Sequence, residues 1–322
     1  MLSLRAVLSM MRSIPVCRGL ATEVQVTRAL VVYKKSYYEL YGYTQRAGRF
    51  ALLQGHRQAI IEAMWYSHEE NQRTLAAVQA AFDGVGIPYD CLYRGELTSV
   101  AGYDLVLSVG GDGTFLEVAR YAGNLPILGV NSDPERSTAF FCAANRSTIR
   151  PHLEALMAAK VGEVLLARMQ VTINDRLLPY YALNDLLVAH ANPAAMTSYT
   201  LDIGSISEPQ RSSGLWIATS AGSTAAIRAA GGRILPLRSR KLQYLVREPY
   251  NGDRGSCRYR LRKGIVGPET PLVVISRTRR GRLFMDGPHL RFSLGLGDVL
   301  TVTTAATPLR VLGLDGSRRR RF

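Results

Sequence analysis

The first half of the chain alternates runs of strand length with longer stretches in which apolar residues recur at helical spacing. The strand-like runs occupy residues 29–33, 89–93, 103–109 and 126–130. The helical stretches occupy residues 51–65, 73–82 and 115–121. Because strands that alternate with helices pack as a layered sheet with crossover connections, we predict an α/β N-terminal domain with a Rossmann-like, mostly parallel sheet.

The pattern changes after about residue 150. Residues 151–160 have helical spacing, and strand-like runs then follow at 170–173, 180–190, 199–203, 214–219, 272–276, 281–285 and 299–303. Asn174-Asp175 predicts a tight hairpin turn between the first two of these runs. We therefore predict an all-β C-terminal domain, with a cleft between the two domains.

The composition of the chain ends suggests two further segments. Residues 1–22 contain Arg5, Arg12 and Arg18, no acidic residue, and apolar residues between the arginines, as mitochondrial presequences do. We expect a targeting presequence and a location in the mitochondrial matrix; an ordinary disordered N-terminus in a cytoplasmic protein is the alternative. The remaining segments are the α/β domain at 23–150, the β-rich domain at 151–304 and a C-terminal tail with a basic end at 305–322.

The formal net charge of +15 is concentrated in a few segments of the chain. Besides the N-terminal arginines, basic residues cluster between residues 233 and 282 and at residues 318–321. Such a surface attracts polyanions, either nucleotides or nucleic acid. Aromatic residues do not interleave with the basic residues in a recognised nucleic-acid-binding pattern. We therefore expect no stable nucleic-acid partner, and keep a basic nucleic-acid-binding protein as an alternative function.

Composition also argues against a membrane span and against a zinc or disulfide framework. No apolar run approaches the roughly 18 residues that a membrane helix needs. The four cysteines, Cys17, Cys91, Cys142 and Cys257, lie far apart and form no C-x-x-C pair. This spacing favours a reducing compartment.

A glycine turn carries the most informative chemistry of the chain. Gly110-Gly111-Asp112-Gly113-Thr114 follows a predicted strand and precedes a predicted helix. Open α/β sheets hold ligands at such positions, and a helix N-terminus attracts phosphate. We expect the three glycines to permit positive φ and to leave room for a ligand against the backbone. A tight turn with a surface aspartate is the simpler interpretation.

The residues after the turn have the spacing of a capping box. Thr114 precedes Glu117 by three residues, so we expect the threonine hydroxyl to accept a helix N–H and the glutamate to reach back. The sequence contains neither the G-x-x-x-x-G-K-[ST] pattern of a P-loop nor a G-x-G-x-x-G that opens a helix. The turn is therefore neither of these common phosphate-binding motifs.

Two further motifs lie in the β-rich half. Asn184-Asp185 interrupts an otherwise apolar run at 180–188, and buried polar groups need partners. Those partners are either neighbouring backbone groups or the hydroxyl and amide groups of a ligand. Residues 218–226 form a small, hydroxyl-rich turn before a helix that stops at Gly231-Gly232. There Ser223 or Thr224 is expected to cap the helix, which leaves N–H groups for a ligand.

The three motifs together, in this order and spacing over about 104–232, resemble the NAD kinase family. Within that family the chain is most similar to the plant-type NADH kinases, through residues 129–134 and 242–249. The resemblance implies a two-domain NAD kinase-like fold and an ATP-dependent kinase. Such an enzyme phosphorylates the 2′-hydroxyl of the adenosine ribose of NAD⁺ or NADH to give NADP⁺ or NADPH. The glycine turn alone is shared with diacylglycerol and sphingosine kinases, so a lipid kinase remains an alternative.

The resemblance also implies roles for individual residues. Asp112 corresponds to the acid proposed as general base. The residues implied in ligand binding are Gly111, Gly113 and Thr114 at the phosphates, Asn184 and Asp185 at the dinucleotide, Thr224 and Ala225 near the adenine, and Asn131, whose role is less defined. The implied partners are NAD(H), ATP as phosphate donor, and further copies of the chain in a dimer or tetramer.

We expect Mg²⁺ to bridge ATP oxygens, with no dedicated protein metal site, because this ion keeps most of its waters. The chain departs from the common family pattern at Ser213, Ser220, Ala221 and Ala226. These departures remove a carboxylate and an aromatic wall from the expected adenine side. The choice between NAD⁺ and NADH therefore stays open.

Overall fold

A seven-stranded sheet forms one half of the fold in the computed structural model, which describes residues 25–42, 58–250 and 259–314. Its strands are β1 (Ala29–Tyr33), β2 (Tyr89–Tyr93), β3 (Leu105–Gly110), β4 (Pro126–Asn131), β5 (Cys142–Asn145), β6 (Glu163–Leu166) and β19 (Leu309–Leu312). The order is β2-β1-β3-β4-β19-β6, and β5 pairs with β4. All pairs are parallel except β19 with β6. The predicted mostly parallel sheet is confirmed.

Helices cover both faces of this sheet. They are α1 (Tyr37–Gly42), α2 (Gln58–Val85), α3 (Asp112–Tyr121) and α4 (Ile149–Met157), and a short α5 (Ala226–Ala229) follows in the other half. One apolar cluster joins α2 and α4 to the sheet, with Phe82 and Leu153 at its centre. Another joins α3 to the opposite face through Phe115 and Val118. Among these helices and the rest of the described chain, none is long and apolar enough to cross a membrane.

The helix α2 is longer than the sequence pattern indicated. Two helices were expected, at 51–65 and 73–82, but one helix runs without a break from Gln58 to Val85. The intervening residues 66–72 are polar and contain neither glycine nor proline, so nothing interrupts the backbone hydrogen bonds. The expected start at 51–57 lies outside the described residues.

Two antiparallel six-stranded sheets form the second half of the fold. The first, in the order β11-β10-β15-β18-β7-β8, contains β7 (Met169–Ile173), β8 (Arg176–Leu177), β10 (Thr197–Ile203), β11 (Ile206–Ser212), β15 (Leu272–Ser276) and β18 (Val299–Thr304). The second, in the order β14-β13-β12-β9-β16-β17, contains β9 (Asp185–His190), β12 (Gly214–Ala218), β13 (Leu242–Arg247), β14 (Lys263–Val266), β16 (Gly281–Met285) and β17 (Leu290–Leu294). One apolar core between them includes Leu201, Ile217 and Leu283. The predicted all-β half is confirmed.

The predicted turn at Asn174-Asp175 is present, but the strand that follows it is not the predicted one. Asn174 and Asp175 have φ of 49° and 61°, as a two-residue type I′ hairpin requires. The turn joins β7 to the two-residue strand β8, not to the expected strand at 180–190. That strand begins only at Asp185, and Ala182 before it makes an isolated bridge to Met169.

Each half of the fold contains residues from outside its expected sequence range. The boundaries between the halves therefore differ from those expected at residues 150 and 305. The helix α4 and strand β6 still belong to the α/β half, which the chain leaves only after Leu166. The chain returns through β19, which fills the sheet between β4 and β6. Leu309 and Val311 in this strand are fully buried, which accounts for its place inside the sheet. The segments 1–22 and 315–322 lie outside the described part.

A buried arginine stabilises the segments in which the chain passes from one half to the other. The Arg168 side chain is completely buried. It donates to the carbonyl oxygens of Gly123 at 2.8 Å, Thr307 at 3.0 Å and Pro308 at 3.3 Å. Its guanidinium also lies over the Tyr181 ring, 4.5 Å from the centroid. Burial lowers the pKa of Arg168 to about 10, so the group is still charged at neutral pH.

We predict that Arg168→Met lowers the free energy of unfolding by about 3 kcal/mol or more, because buried carbonyl groups lose their donor. Urea denaturation followed by circular dichroism measures this difference. Arg150→Met is the control, since Arg150 is an exposed residue of α4 paired with Glu154. Equal stability of the two variants would contradict the assignment of Arg168 as the residue that holds the crossing.

Candidate active site

The glycine turn lies at the carboxyl end of β3, as predicted. Gly110 is the last residue of β3, and α3 begins at Asp112 with Gly111 as its N-cap residue. None of the three glycines has the positive φ that we expected; Gly111 has φ of −108°. Close contacts require glycine instead at Gly110 and Gly111. A Cβ at Gly110 would overlap the Thr114 side chain, and one at Gly111 would lie 2.9 Å from Ser137 Oγ.

The predicted capping box is wrong. Thr114 is buried inside the first turn of α3, and its N–H donates to the Gly111 carbonyl at 3.0 Å. Its hydroxyl accepts a long hydrogen bond from Arg94 Nη1 at 3.4 Å. Glu117 does not reach back to the helix start but pairs with Arg94 Nε at 3.5 Å. The helix begins at Asp112, three residues earlier than expected, so Thr114 does not occupy the N-cap position.

The Asp112 carboxylate is held by two backbone groups of a neighbouring segment. Its Oδ2 accepts the Phe140 N–H and its Oδ1 the Phe141 N–H, both at 3.0 Å. Phe141 in turn stacks on Phe115 of α3, with ring centroids 4.9 Å apart. A carboxylate oxygen accepts more than one hydrogen bond, so this fixation is compatible with a further bond from a ligand hydroxyl. Asp112 is therefore oriented before any ligand arrives.

The Asn131 side chain orders the loop that packs against the glycine turn. Its Nδ2 donates to the Ser137 carbonyl at 2.8 Å, and its Oδ1 accepts the Asp133 N–H at 3.0 Å. These bonds order the loop that places Ser137 against Gly111. The side chain predicted to contact a ligand is thus used within its own loop.

The backbone around Asn184-Asp185 is organised by a carboxylate that the motif analysis did not select. Asp286 accepts the N–H groups of Leu183 at 2.9 Å, Asn184 at 2.7 Å and Asp185 at 3.2 Å. The Asp286 N–H returns a bond to the Asp185 carbonyl at 2.9 Å. Asp286 has φ of 48°, a left-handed conformation that aspartate tolerates better than most residues. Its position after a predicted strand and before Gly287 was the available sequence signal.

The side chains of Asn184 and Asp185 are left for another partner. The Oδ1 atom of Asn184 is buried and has no hydrogen-bond partner within the described chain. Nor does any of the described groups donate to the Asp185 carboxylate, which is buried. Buried polar groups without partners are costly. The pair is therefore suited to receive donor groups of a ligand.

The buried carboxyl groups of Asp185 and Asp286 both have raised pKa values. Burial, together with the charge of Asp286, raises the pKa of Asp185 to about 7. Burial also raises the pKa of Asp286 to about 6, against the opposing effects of its backbone hydrogen bonds and the Arg120 charge. Such displaced carboxyl groups in one place are typical of functional sites.

The hydroxyl-rich turn packs directly on this pair. The Thr219 N–H donates to the Asn184 carbonyl at 3.0 Å, and a Cβ at Gly222 would overlap that carbonyl group. The expected side-chain caps are absent, because Ser223 and Thr224 donate to carbonyl groups of the preceding turn. Residues 222–224 form a 3₁₀ turn, and α5 has only four residues, with Ala225 as its N-cap.

The fold brings the motifs of both halves together. Leu183 directly precedes the second motif and Ala221 lies within the third. Both belong to the same buried cluster as Phe115 and Phe141 beside Asp112. Arg120 of α3 adds a polar link, since its Nη2 donates to the Asp286 carbonyl at 3.3 Å. These contacts bring the three motifs together at the junction of the halves.

Two cations at the carboxyl edge of the sheet were missed by sequence reasoning. Lys34 follows β1, and its N–H donates to the Val109 carbonyl of β3 at 3.2 Å. Burial lowers the pKa of Lys34, and the charge of Asp133 opposes that shift. Arg94 follows β2 and reaches Thr114. Both place positive charge beside the glycine turn, although they lie outside the basic block at 233–282.

Comparison with known proteins decides the family. The family model of the ATP-NAD kinase N-terminal domain matches residues 24–159. A probable NADH kinase of rice is 33% identical over 265 residues, which cover 75% of this chain and 81% of that protein. The chain belongs to the NAD kinase family. This membership agrees with the order of the three motifs.

Solved structures of the family share the fold. An NAD kinase from Archaeoglobus fulgidus, solved in complex with ATP, superimposes with a TM-score of 0.61 at 20% identity, covering 91% of this chain and 96% of that one. Yeast NADH kinase, solved with NADH, gives a TM-score of 0.65 at 15% identity, covering 92% and 86%. The two-domain NAD kinase-like fold is confirmed.

We predict that Asp185→Asn stabilises the protein at neutral pH by about 1 to 2 kcal/mol. Because the folded carboxyl group keeps its proton to a higher pH than the unfolded one, its contribution to the free energy of unfolding falls as pH rises from about 4 to about 7. The melting temperature of the variant minus that of the wild type should therefore increase over this range and level off above it. A difference that does not change with pH would contradict a raised pKa at Asp185.

Proposed function

We propose that this protein transfers the γ-phosphoryl group of ATP to the 2′-hydroxyl of the adenosine ribose of NAD⁺ or NADH. The observation that carries the proposal is the junction site, where two backbone N–H groups orient the Asp112 carboxylate and the buried Asn184 Oδ1 atom has no partner among the described residues. Membership of the NAD kinase family supports the same substrates. The products are NADP⁺ or NADPH and ADP.

In this proposal Asp112 is the general base. A ribose hydroxyl is a weak nucleophile while it keeps its proton, and a carboxylate within hydrogen-bond reach orients it and accepts that proton. The N–H groups of Phe140 and Phe141 fix the carboxylate before the substrate binds. Little reorganisation is then required as the new P–O bond forms.

The phosphate chain is proposed to lie over the glycine turn. Gly111 and Gly113 leave the backbone accessible, and the first N–H groups of α3 attract negative charge. Lys34 and Arg94 add positive charge at the same edge. Phosphoryl transfer depends chiefly on positioning and on neutralising the charge of the phosphates.

The dinucleotide is proposed to bind at the β-rich side of the junction. Asn184 and Asp185 would accept hydrogen bonds from its hydroxyl or amide groups, which completes their missing partners. Thr224 and Ala225 lie in the turn that packs on Asn184, and we assign them to the adenine side. In this proposal the β-rich half supplies most of the dinucleotide contacts.

Mg²⁺ is proposed to be carried by the ATP oxygens. In the described ranges of the chain no three or more ligating side chains cluster as a metal site. Mg²⁺ keeps most of its waters and is commonly held through substrate phosphates. When bound, it supplies neutralisation of the phosphate charge.

Assembly and location remain predictions. We propose a homo-oligomer, a dimer or a tetramer, which size-exclusion chromatography with light scattering would measure. The mitochondrial location rests on the composition of residues 1–22, which lie outside the described residues. Import of a fluorescent fusion that carries this segment would test the location.

The proposed function is tested by incubating the purified protein with Mg-ATP and either NAD⁺ or NADH, and separating the products by chromatography. We expect NADP⁺ or NADPH together with an equal amount of ADP. Diacylglycerol offered in a parallel reaction should not be phosphorylated. Phosphorylated lipid without NADP(H) would overturn the proposal.

We predict that Asp112→Asn reduces kcat by about 100-fold or more while ATP and dinucleotide still bind. The loss follows from removing the proton acceptor. Since the asparagine amide would also face a backbone N–H of residue 140 or 141, the melting temperature is measured alongside turnover. A folded variant with near-normal turnover would remove Asp112 as the base.

We predict that Asn184→Ala raises the KM of the dinucleotide about 10-fold, the cost of about one good hydrogen bond. Its KM for ATP should change little. Asn192→Ala is the control, because Asn192 lies exposed in the loop after β9. An unchanged dinucleotide KM would show that the Asn184 side chain has only a structural role and does not contact the dinucleotide.

A further inference from the structure

The C-terminal end of the basic block at 233–282 lines a pocket that the proposed reaction does not use. The hairpin between β15 and β16 contributes the basic side chains of Arg279, Arg280 and Arg282. His190, the last residue of β9, lies beside them. The pocket has a volume of about 450 Å³, which is within the range of small-molecule sites. We call it the hairpin pocket.

The hairpin pocket lies at the far end of two strands that lead to the junction site. The strand β9 begins at Asp185 and ends at His190. Five steps of about 3.4 Å place the two residues about 17 Å apart along the strand. The strand β16 is paired with β9 from Gly281 to Met285, so Asp286 is also at the end away from the pocket. The hairpin pocket is therefore separate from the dinucleotide pair.

The positive charge of the hairpin pocket is not compensated by the described part of the protein. None of the described residues that line it is acidic, and its three arginines form no ion pair with a described acid. Asp298 lies close by, but its carboxylate accepts the Gly295 N–H at 2.6 Å and the Asn174 amide at 2.8 Å. Because cations that line a concave surface concentrate positive potential there, the pocket suits an anion.

Two of the pocket side chains are already oriented. Arg282 Nη1 donates to Ser293 Oγ of β17 at 2.6 Å, and the two residues lie directly opposite each other in the strand pair. The Nε and Nη2 groups of Arg282 have no partner among the described residues. His190 Nδ1 accepts the Asn192 N–H at 2.9 Å. A planar guanidinium edge with two N–H groups matches a phosphate group bidentately.

The backbone that carries the arginines is also fixed. The Thr278 hydroxyl donates to the Ser198 carbonyl and accepts the Ser198 N–H, both at 2.9 Å. The Ala191 N–H donates to the Arg280 carbonyl at 2.8 Å. These bonds attach the hairpin to β10 on one side and to the end of β9 on the other. Little ordering of the backbone is then required when a ligand binds.

We propose that the hairpin pocket is a second anion site, which binds the phosphate groups of a small phosphorylated molecule. Its concave shape and its limited volume favour such a ligand over nucleic acid, which requires an extended basic surface. The inference does not depend on the proposed function, since it uses no residue of the junction site.

The test is calorimetric titration of the full-length protein with inorganic pyrophosphate in metal-free buffer. A saturating non-hydrolysable ATP analogue is present, so that pyrophosphate does not compete for the junction site. The variant Arg279→Gln/Arg282→Gln removes two charges from the pocket. The matched control, Arg150→Gln/Arg176→Gln, removes two charges at exposed residues of α4 and β8.

We expect wild type and control to bind pyrophosphate with the same dissociation constant. The pocket variant should bind it about 10-fold or more weakly, because charge-assisted hydrogen bonds are lost. Added salt should weaken binding to the wild type, and citrate should bind more weakly than pyrophosphate. The affinity for NADH, measured by its fluorescence, and the oligomeric state should be unchanged in both variants.

Several results would overturn the inference. One is a wild type that binds no pyrophosphate once the ATP analogue is present, and another is an equal loss in pocket variant and control. Citrate bound as tightly as pyrophosphate would contradict a phosphate site, and duplex DNA bound more tightly through the same arginines would indicate a nucleic-acid surface instead. If the double variant does not fold, Arg279→Gln is measured in its place, since Arg279 is exposed. Unchanged pyrophosphate affinity in that variant contradicts the inference.

Discussion

The site depends on a buried carboxylate that binds backbone, not ligand. Asp286 accepts the N–H groups of three successive residues, Leu183 to Asp185, at the start of β9. Removing a carboxylate from water costs several kcal/mol, and here three donors and a nearby guanidinium offset that cost. Asp286 satisfies these N–H groups where β9 begins, and Asp185 is already paired with Ala218 of β12. The side chains of Asn184 and Asp185 are thereby presented at the junction.

A carboxylate also accepts backbone N–H groups on the other side of the junction. Asp112 accepts the N–H groups of Phe140 and Phe141, as Asp286 accepts those of residues 183–185. The two carboxylates differ in exposure: Asp286 is enclosed, whereas Asp112 is only half-buried at the edge of the sheet. One therefore serves as an internal support, and the other is both supported and accessible. Of these two carboxylates, we therefore assign the proton exchange of the proposed reaction to Asp112.

Long-range contacts align these two supports. Arg168 fixes the crossing of the chain near the end of α3, and the apolar cluster around Phe115 includes Leu183 and Ala221 from the β-rich half. Gly222 is required where the third motif approaches the Asn184 carbonyl. The geometry of the site thus comes from packing between segments that lie far apart in sequence.

Local sequence signals predicted the elements that carry the site but not the contacts that shape it. The glycine turn, its place after β3 and the interruption at Asn184-Asp185 follow from residue types and periodicity. The start of α3 did not, because Gly111 is placed by contact with Ser137 and the Asn131 loop, which no local pattern encodes. The inclusion of β19 in the first sheet was missed for a similar reason, since a four-residue strand acquires its neighbours only after the chain has crossed back.

The roles of Asp286 and Arg168 were likewise not predicted from the sequence, because their partners are backbone groups. Backbone hydrogen bonds leave no residue pattern in the segments that receive or donate them. A short apolar strand followed by Asp-Gly was the only hint at Asp286, and an arginine before β7 gave none at Arg168.

The central claim is that the Asp112 carboxylate meets the ribose of a bound dinucleotide. A crystal structure of the protein with NADH and a non-hydrolysable ATP analogue measures this directly. The account predicts an Asp112 oxygen within about 3.2 Å of the adenosine ribose 2′-oxygen, with the γ-phosphate on the far side of that oxygen. A ribose bound elsewhere, with Asp112 contacting only Phe140 and Phe141, would contradict it.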